Sequence, residues 1–437
     1  MLARLTWART HGRWNPGWQA RLAEFERRAK LPPAAFRAWQ EEAVRAHVAW
    51  GRKALPWFAE RAPDATTLAD LPPLTRRDVQ AGRDALRDPS LDVATLVADS
   101  TGGSTGEPVR FFHHPDLAVS TFATELLLQR WWGVKPWART AYVWGDDREA
   151  GGSLKERLVE RLLGRLHLNA FQVDDAGLAR FAAALRRFRP EVVQGYATAL
   201  DLVAAYLLRD GGPPVRPKVV RSAAEALFPD RRARIEEAFG VAVRDVYGSR
   251  ETPCLAAQCA HGGFHVMAHT KVIELVDEAG APVPPGTPAR VLVTDLGNRA
   301  FGFLRYANGD VASWDPDPAP CPCGVSWPRL EKIHGRSSDF LTTPSGLRVH
   351  GEWFTHLFYG RDDVRRFQLH QTALDHVTLL TEGPADEAAL ADVLAAIRKR
   401  LGAGVDLVWR RVERIETGPS GKHRFTVSDV PFLVGPK

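Results

Sequence analysis

The sequence predicts an α/β protein with a large N-terminal domain, residues 1–335, followed by a small mobile α+β domain, residues 336–437. Short apolar strands alternate with helical segments between residues 139 and 251, which is typical of α/β domains. A chain of 437 residues exceeds the usual size of one hydrophobic core, so we expect at least two domains. A second run of strands around one helix, residues 362–412, predicts the compact C-terminal domain.

Residues 1–95 are predicted to be a helical lead-in that supports the large domain. Residues 24–53 carry apolar side chains at roughly helical spacing. Thr75 precedes Arg-Arg-Asp-Val and is expected to cap the start of a helix, because a threonine oxygen accepts a hydrogen bond from the first turn. We therefore expect this segment to have a structural role in the large domain.

A glycine- and hydroxyl-rich stretch, DSTGGSTGEP at residues 99–108, precedes an apolar run that is typical of a strand. Glycines let successive backbone N–H groups point at one anion, and the hydroxyls add donors. The Lys-Ser/Thr ending of a Walker A loop is absent, so a P-loop NTPase is not indicated. A solvent-exposed turn is the alternative. The predicted phosphate-binding residues are Ser100, Thr101, Gly102, Gly103, Ser104, Thr105 and Gly106.

The central part of the chain alternates between helix and strand. We predict helices over residues 117–132, 177–188, 199–208 and 229–239, and strands over residues 139–144, 191–196, 218–222 and 241–247. Glycines and polar residues follow the last three strands, where open α/β sheets bind ligands. Strand and turn signals over residues 255–330 then predict a smaller β subdomain.

Three cysteines and a histidine form a second group of chemically active residues. Two thiolates at a Cys-x-Cys spacing, Cys321 and Cys323, can join Cys259 and His265 in a tetrahedral Zn²⁺ site. Four protein ligands leave no open position, so its role would be structural. His261 in place of His265, Cys254 in place of Cys259, and four reduced thiols without a metal are the alternatives.

The composition narrows the class of partner. Lysine and arginine exceed aspartate and glutamate by 58 − 52 = 6 charges, which are dispersed along the chain. Dispersed charge without a basic run interleaved with aromatics argues against nucleic acid, but suits an anionic substrate such as ATP or CoA. We find no apolar run of about 18 residues and no secretory signal, and therefore expect a cytoplasmic protein that uses no membrane.

Seven motifs occur in one order along the chain. They are STGGSTGEP (100–108), QGY (194–196), SAAEAL (222–227), YGSRE (247–251), RYANGD (305–310), GRSSDF (335–340) and SGKHRF (420–425). Together they resemble the adenylate-forming acyl ligases, and the nearest subgroup is the phenylacetate–CoA ligase and capsule-biosynthesis branch. The resemblance covers the chain from about residue 40 to its end.

The resemblance implies an ATP-dependent ligase that uses Mg²⁺ and forms an acyl-adenylate with release of pyrophosphate. It implies Lys422 as the mobile catalytic cation and Glu251 as a Mg²⁺ ligand. Tyr247 would stack on the base, while Asp310 and Arg336 would bind the ribose or phosphate. The other implied nucleotide contacts are Ala223, Ala224, Glu225, Gly248 and Ser249.

The resemblance also implies a hinge and a pocket for the acid. The hinge lies in the GRSSD segment, where Ser338 stands at a position that is Asp in many relatives. By region, the acyl pocket would draw on Tyr142, Trp144 and Tyr196 together with Ala223.

The acceptor of the acyl group stays open at the level of sequence. It could be CoA or another thiol, an amine, or a carrier protein, so an amide- or ester-forming enzyme is an alternative to a CoA ligase. A non-catalytic nucleotide-binding homologue is a second alternative, although the presence of Lys422, Glu251 and Asp310 together argues against it. A zinc-stabilised nucleic-acid-binding module is the third.

Overall fold

The computed structural model describes residues 17–101, 109–144, 159–160, 162–169, 175–317, 319–336, 340–345, 348–358, 361–416 and 424–430. All structural statements below concern these residues. Of the helices within these ranges, none is both long enough and apolar enough to cross a bilayer.

The N-terminal segment is helical, as predicted. Its helices are α1 (Trp18–Ala29), α2 (Pro33–Ala54), α3 (Pro56–Arg61) and α4 (Arg76–Ala81). The predicted stretch 24–53 is divided between α1 and α2, because Pro32 and Pro33 cannot continue a helix but suit the start of the next one. The Thr75 side chain accepts a hydrogen bond from the Asp78 backbone nitrogen, and the Asp78 carboxylate accepts one from the Thr75 backbone nitrogen, so the predicted cap of α4 is confirmed.

The strand–helix alternation of the central region is confirmed to within a few residues. After a hairpin of β1 (Val97–Ser100) and β2 (Arg110–His113), the elements are α5 (Pro115–Trp131), β3 (Thr140–Trp144), β4 (Arg165–Asn169), α6 (Asp175–Phe188), β5 (Val192–Tyr196), α7 (Ala197–Arg209), β6 (Val219–Ala223), α8 (Pro229–Phe239) and β7 (Val243–Tyr247). Helices α6, α7 and α8 contribute Leu185, Leu200 and Ile235 to one buried cluster with the inner strands. Helix α5 packs into a different cluster, which it shares with α1.

The β-rich segment that follows consists of strands, as predicted, and extends the same sheet. It contains β8 (Ala256–Gln258), β9 (Phe264–Val266), β10 (Lys271–Val276), β11 (Ala289–Asp295), β12 (Tyr306–Trp314) and β13 (Arg329–Arg336). Eleven of the described strands form one sheet in the order β10-β11-β12-β13-β9-β8-β7-β6-β5-β3-β4. Because β8 pairs antiparallel with β7, the β-rich part predicted at 255–330 is the antiparallel continuation of the main sheet.

The sheet thus has two halves with different geometry. Strands β4, β3, β5, β6 and β7 run parallel, and those from β8 onward pair antiparallel. In the parallel half all carboxyl ends lie on one edge, so side chains at those ends are brought together whatever their distance in sequence.

The C-terminal domain has its own sheet and its own core. It contains β14 (Phe340–Thr342), β15 (Arg348–His350), α9 (Gly351–Thr355), β16 (Arg366–Ala373), β17 (His376–Glu382), α10 (Ala391–Leu401), β18 (Asp406–Arg411) and β19 (Thr426–Ser428). Four strands pair in the order β18-β17-β16-β19. Their cluster includes Leu341, Leu379 and Ile397 and none of the residues of the main sheet. The predicted α+β domain is confirmed.

Two residues of the predicted linker, 335–339, belong to a strand of the main sheet. Gly335 and Arg336 continue β13 and pair with Val311 and Asp310 of β12. Residues 337–339 lie outside the described residues.

Candidate active site and metal centre

Four predicted site residues end four strands of the parallel half. Trp144, Tyr196, Ala223 and Tyr247 are the last residues of β3, β5, β6 and β7. The strand register places Tyr196 beside Ala223 and Ala223 beside Val246, so these ends are neighbours. Gly195 of the QGY motif is required here, because a Cβ at this position would meet the carbonyl oxygen of Val143 on β3. The ligand-binding edge expected from the sequence is therefore formed.

Tyr247 is tied to the antiparallel half through Asp310. Its hydroxyl donates to Asp310 Oδ2 at 2.6 Å, and Asn308 Nδ2 donates both to the Tyr247 hydroxyl at 2.7 Å and to Asp310 Oδ2 at 2.8 Å. Burial, followed by the negative charge of Asp310, raises the pKa of Tyr247 well above its usual value. The phenol is therefore a fixed proton donor to the carboxylate at neutral pH.

Arg336 closes this cluster from β13. Its Nε lies 3.0 Å from Asp310 Oδ1, and its Nη1 donates to the Asn308 carbonyl oxygen at 2.6 Å. The Arg336 side chain is 53% exposed, whereas that of Asp310 is 10% exposed. The carboxylate is thus held in place on its buried side, while the guanidinium faces solvent at the sheet edge.

The YGSRE loop is compact and touches the strand that leads into the glycine-rich segment. A Cβ on Gly248 would lie 2.6 Å from the Cys254 nitrogen, so this position requires glycine. Ser249 Oγ accepts from Thr252 N at 3.2 Å, which closes the turn. Arg250 donates to the Ser100 carbonyl oxygen at 3.0 Å. The loop therefore lies beside the start of the predicted phosphate cradle.

Glu251 is buried within the same loop, with 7% exposure. The Tyr306 hydroxyl lies 3.4 Å from its Oε1, a long contact that fixes the carboxylate only loosely. Mg²⁺ takes one or two carboxylates together with substrate phosphates and waters, and a single carboxylate beside a phosphate loop fits that donor set.

The predicted adenine-edge residues, Ala223, Ala224 and Glu225, lie at the end of β6 and directly after it. Ala224 has a φ of 65°, a left-handed conformation that costs an alanine energy and is frequent at functional turns. Glu225 accepts hydrogen bonds from the backbone nitrogen and hydroxyl of Thr198, at 3.0 and 2.7 Å, in the first turn of α7. Its side chain thereby fixes the loop to the helix, which leaves Ala223 and Ala224 at the sheet edge.

A cavity of about 400 Å³ lies between α5 and the parallel strands. It is lined by three of the residues predicted for the acyl pocket, Tyr142, Trp144 and Ala223. The fourth, Tyr196, stacks on Trp144 with a centroid separation of 4.4 Å. Three of the four residues therefore line one cavity, and Tyr196 packs against one of them without lining it.

The cysteines and histidine of the predicted metal site lie together in the structure. The ligand atoms of Cys259, His265, Cys321 and Cys323 all lie within 4.8 Å of one another. Cys259 Sγ is 3.6 Å from Cys321 Sγ, and Cys323 Sγ is 3.2 Å from His265 Nε2. Zinc–thiolate bonds of about 2.3 Å in a tetrahedron place two sulfurs about 3.8 Å apart, so this spacing fits a Cys₃His zinc site.

The surroundings of His265 and Cys321 are compatible with metal ligation. His265 Nδ1 is 3.2 Å from the Trp327 carbonyl oxygen, which directs Nε2 toward the cysteines. Burial lowers the pKa of His265 to about 4, so the ring is neutral and able to bind a metal. A Cβ on Gly263 would lie 2.9 Å from Cys321 Sγ, so only glycine allows this approach.

The two alternative ligands are not part of this group. Cys254 is buried near Glu125 and Arg221, where burial raises its pKa to about 12. The side chain of His261 is exposed. The group formed among the described residues is the one predicted first.

Some predicted residues cannot be placed. Lys422, the hinge residue Ser338, and Gly102, Gly103, Ser104, Thr105 and Gly106 of the phosphate cradle all lie outside the described residues. Ser100 ends β1, and Thr101 N donates to the Val109 carbonyl oxygen at 2.9 Å, so the two ends of the cradle segment are joined.

Four residues at the site were missed by the sequence reasoning. Asn308 and Tyr306 lie within the RYANGD motif or beside it, but their contacts to Tyr247 and Glu251 cross more than fifty residues. Glu125 and Arg221 pair across the cavity. Neither carries a distinguishing signal in the sequence, because Asp116 and Arg130 share α5 with Glu125, and Lys218 lies just before the strand that contains Arg221.

Comparison with known proteins agrees with this geometry. A family model described as the CapK C-terminal domain matches residues 341–429. Protein CapK of Staphylococcus aureus is 24% identical over 369 residues, which cover 82% of this chain and 80% of that protein.

Solved structures extend the similarity to both domains. A 2-hydroxyisobutyryl-CoA ligase in complex with 2-HIB-AMP matches with a TM-score of 0.70 and 19% identity, covering 92% of each chain. The chain has the adenylate-forming ligase fold. An amide bond synthetase, McbA from Marinactinospora thermotolerans, matches with a TM-score of 0.51 and 18% identity over 75% of this chain and 67% of that one. The resemblance inferred from the seven motifs is confirmed, and the ligase fold covers the main sheet and the C-terminal domain together.

Proposed function

We propose that this protein is an ATP-dependent ligase that activates a carboxylic acid as its acyl-adenylate. A carboxylate oxygen attacks the α-phosphorus of ATP, an acyl–phosphate bond forms, and the bond to pyrophosphate breaks. A thiol or amine then attacks the acyl carbon and AMP leaves. Both reactants of the first step are anions, so catalysis consists mainly of charge neutralisation and in-line positioning.

The observation that carries this proposal is the Asp310 cluster at the carboxyl edge of the parallel strands. Asp310 is held on its buried side by Tyr247 and Asn308, with Arg336 at its exposed side. A fixed carboxylate accepts hydrogen bonds from two vicinal hydroxyls, as on a ribose. Arg336 is the partner that would shift to admit the sugar, because it is the most exposed member of the cluster.

The remaining roles divide between two loops and the small domain. Glu251 would bind the Mg²⁺ that neutralises the phosphates, and the backbone of residues 100–106 would hold the β- and γ-phosphates. Ala223, Ala224 and the ring of Tyr247 would border the base. Lys422 would approach the carboxylate and the α-phosphate from the C-terminal domain, whose boundary we place between residues 336 and 340.

The acceptor is proposed as a thiol, with CoA the leading candidate and an amine or a carrier protein as alternatives. The ligase fold is compatible with a thiol and with an amine acceptor, since the similar structures include CoA ligases and an amide bond synthetase. The Cys₃His cluster is proposed to bind Zn²⁺ as a structural ion, because four protein ligands leave no position for a substrate.

ATP–pyrophosphate exchange tests this function. The protein is incubated with Mg²⁺, ATP, labelled pyrophosphate and a panel of aryl, alkyl and amino acids. We expect exchange with one class of acid and a loss of about 10²–10³-fold in Lys422→Ala, with ATP affinity within about twofold of wild type. Lys399→Ala is the matched control, because Lys399 is an exposed lysine of the same domain on α10. Wild-type exchange by Lys422→Ala would show that this lysine has no part in adenylation.

A further inference from the structure

The cavity between α5 and the parallel strands is lined in part by a charge pair and by amide side chains. A pocket for a purely hydrocarbon group would instead be lined by apolar side chains. We propose that it selects an acid whose ring-sized body bears a neutral hydrogen-bonding substituent, a hydroxyl or a primary amide. This inference rests on the proposed function, because it names the class of acid that the same enzyme would activate.

The position of the cavity connects it to the nucleotide edge. Its wall runs along β3 from Thr140 to Trp144, a length of about 13 Å, and includes Ala223 at the end of β6. Ala223 immediately precedes the proposed adenine-edge residue Ala224. An acid whose carboxylate lies at the sheet edge would therefore extend its body into the cavity toward α5.

A charge pair spans the cavity wall from α5 to β6. Arg221 Nη1 and Nη2 donate to the two oxygens of Glu125 at 2.5 and 2.8 Å. Their side chains are 14% and 30% exposed, respectively. A bidentate pair of this kind fixes both groups and presents their remaining hydrogen-bonding positions in one orientation.

The charges that the described residues contribute to the wall are paired. Glu125 neutralises Arg221, and Arg165, the remaining charged residue in the described part of the wall, lies 3.4 Å from Glu160. An ammonium or a second carboxylate on the substrate would therefore find its counter-charge already engaged and would be desolvated without a net partner. This balance favours a substituent that carries dipoles and no charge.

The neutral polar side chains of the wall offer both donors and acceptors. Gln129 and Gln194 contribute two amides, and Tyr142 contributes a hydroxyl. A hydroxyl or primary amide on the substrate can both donate to and accept from such groups, whereas a hydrocarbon can do neither and would desolvate them without a partner.

The apolar part of the wall sets the size of the body. Phe122, Trp132 and Trp144 contribute aromatic surfaces to the cavity. The volume of about 400 Å³ exceeds the cavity of about 150 Å³ that accommodates benzene. A substituted six-membered ring therefore fits with room for its polar group and its link to the carboxylate.

The test compares matched benzoates in ATP–pyrophosphate exchange. The probes are benzoate, 3-hydroxybenzoate, 4-hydroxybenzoate, 4-(aminomethyl)benzoate and terephthalate. We expect kcat/KM for the better hydroxybenzoate to exceed that of benzoate and of both charged analogues by about tenfold or more. Exchange that is fastest with benzoate or with a charged analogue overturns the inference and leaves the proposed function intact.

Variants separate recognition from folding. Gln129→Met removes the amide at similar volume, and is expected to reduce the hydroxybenzoate-to-benzoate ratio at least threefold while benzoate exchange is retained. Arg221→Gln leaves Glu125 without its counter-charge and should allow the cationic 4-(aminomethyl)benzoate to compete with the hydroxybenzoates. Gln19→Met, on the exposed face of α1, is the matched control. A ratio unchanged in both cavity variants overturns the inference.

A binding measurement tests the inference if none of the acids supports ATP–pyrophosphate exchange. Saturation-transfer NMR is recorded with the same five acids on the full-length protein containing AMP. If no acid supports exchange but the hydroxybenzoates bind preferentially, the proposed function fails and the inference stands. If none binds preferentially, the inference fails.

Discussion

Asp310 and Tyr247 show how single residues prepare the proposed site before a ligand arrives. Tyr247 ends a parallel strand, while Asp310 lies in the antiparallel half, and their contact of 2.6 Å joins the two. Asn308 bridges both and comes from the same strand as Asp310. The carboxylate is thereby oriented by neighbours that need not move when the nucleotide binds.

Replacing Asp310 with Asn tests this orientation. The amide keeps the shape and an acceptor for Tyr247, but loses one charged acceptor for a ribose. We expect ATP to bind about tenfold more weakly by calorimetry, which corresponds to about 1.4 kcal/mol, with an unchanged fold. Asp64→Asn, an exposed aspartate of the same domain, is the control and should not differ from wild type. Equal ATP affinity in both variants would remove Asp310 from the binding site.

His47 gives the molecule a predictable response to acid. It is 1% exposed, and neither ring nitrogen has a partner among the described residues. Burial, reinforced by Arg299, lowers its pKa from 6.5 to about 3. The unfolded chain therefore binds a proton below pH 6.5 that the folded chain does not, and stability is lost as the pH falls from 6.5 toward 3.

The expected size of this effect is about 1.4 kcal/mol of unfolding free energy for each pH unit below 6.5. Denaturant unfolding at pH 7.5, 6.5 and 5.5 measures it. His47→Leu should show a shallower loss between pH 6.5 and 5.5 than wild type, whatever its stability at pH 7.5. Identical slopes in the two proteins would show that His47 does not couple folding to protons.

At the scale of elements, strand ends were the most informative feature of the sequence. Glycines and polar residues that follow short apolar strands indicate a ligand-binding edge, and the resemblance implies Ala223 and Tyr247 as nucleotide contacts there. The structure places both, together with Tyr196, on one edge of the sheet. The continuity of the sheet from β7 to β8 was not predictable, since antiparallel pairing depends on a tight turn whose direction no local pattern shows. The contacts of Asp310 with Tyr247 and Arg336 depend on that continuity.

The charged pair in the cavity escaped prediction for a different reason. Arg221 lies within the apolar strand Lys218-Val-Val-Arg-Ser, and Glu125 lies within the apolar face of a helix. Each alone is typical of a residue that reaches solvent. Only the packing of α5 on β6 makes them partners, and helix packing is a tertiary property.

The Cys-His cluster connects two elements, the β8–β9 turn and the loop before β13. Cys323→Ser is expected to abolish about one bound zinc per chain, measured by mass spectrometry of the metal, and to lower the melting temperature by about 5 °C or more. Cys254→Ser is the control, because Cys254 is buried outside the cluster. Full zinc content in Cys323→Ser would contradict the assignment of this ligand.

At the scale of the molecule, separate cores allow the two domains to act as units. The main sheet and the C-terminal sheet share no residue of their hydrophobic clusters. The resemblance carried by the seven motifs implies this architecture of a large and a small domain, and the adenylate-forming ligase fold confirms it. The sequence could not predict how Lys422 approaches the site, since that depends on the orientation of one domain against the other.

In the proposed reaction, a carboxylate oxygen becomes bonded to the α-phosphorus of ATP. An acid that supports exchange is labelled with ¹⁸O in both carboxylate oxygens and turned over with Mg²⁺, ATP and hydroxylamine as acyl acceptor. Attack of hydroxylamine on the acyl carbon leaves one acid oxygen on the nucleotide, so mass spectrometry should find AMP with one ¹⁸O. Unlabelled AMP, or ADP with label in orthophosphate, would contradict adenylate formation.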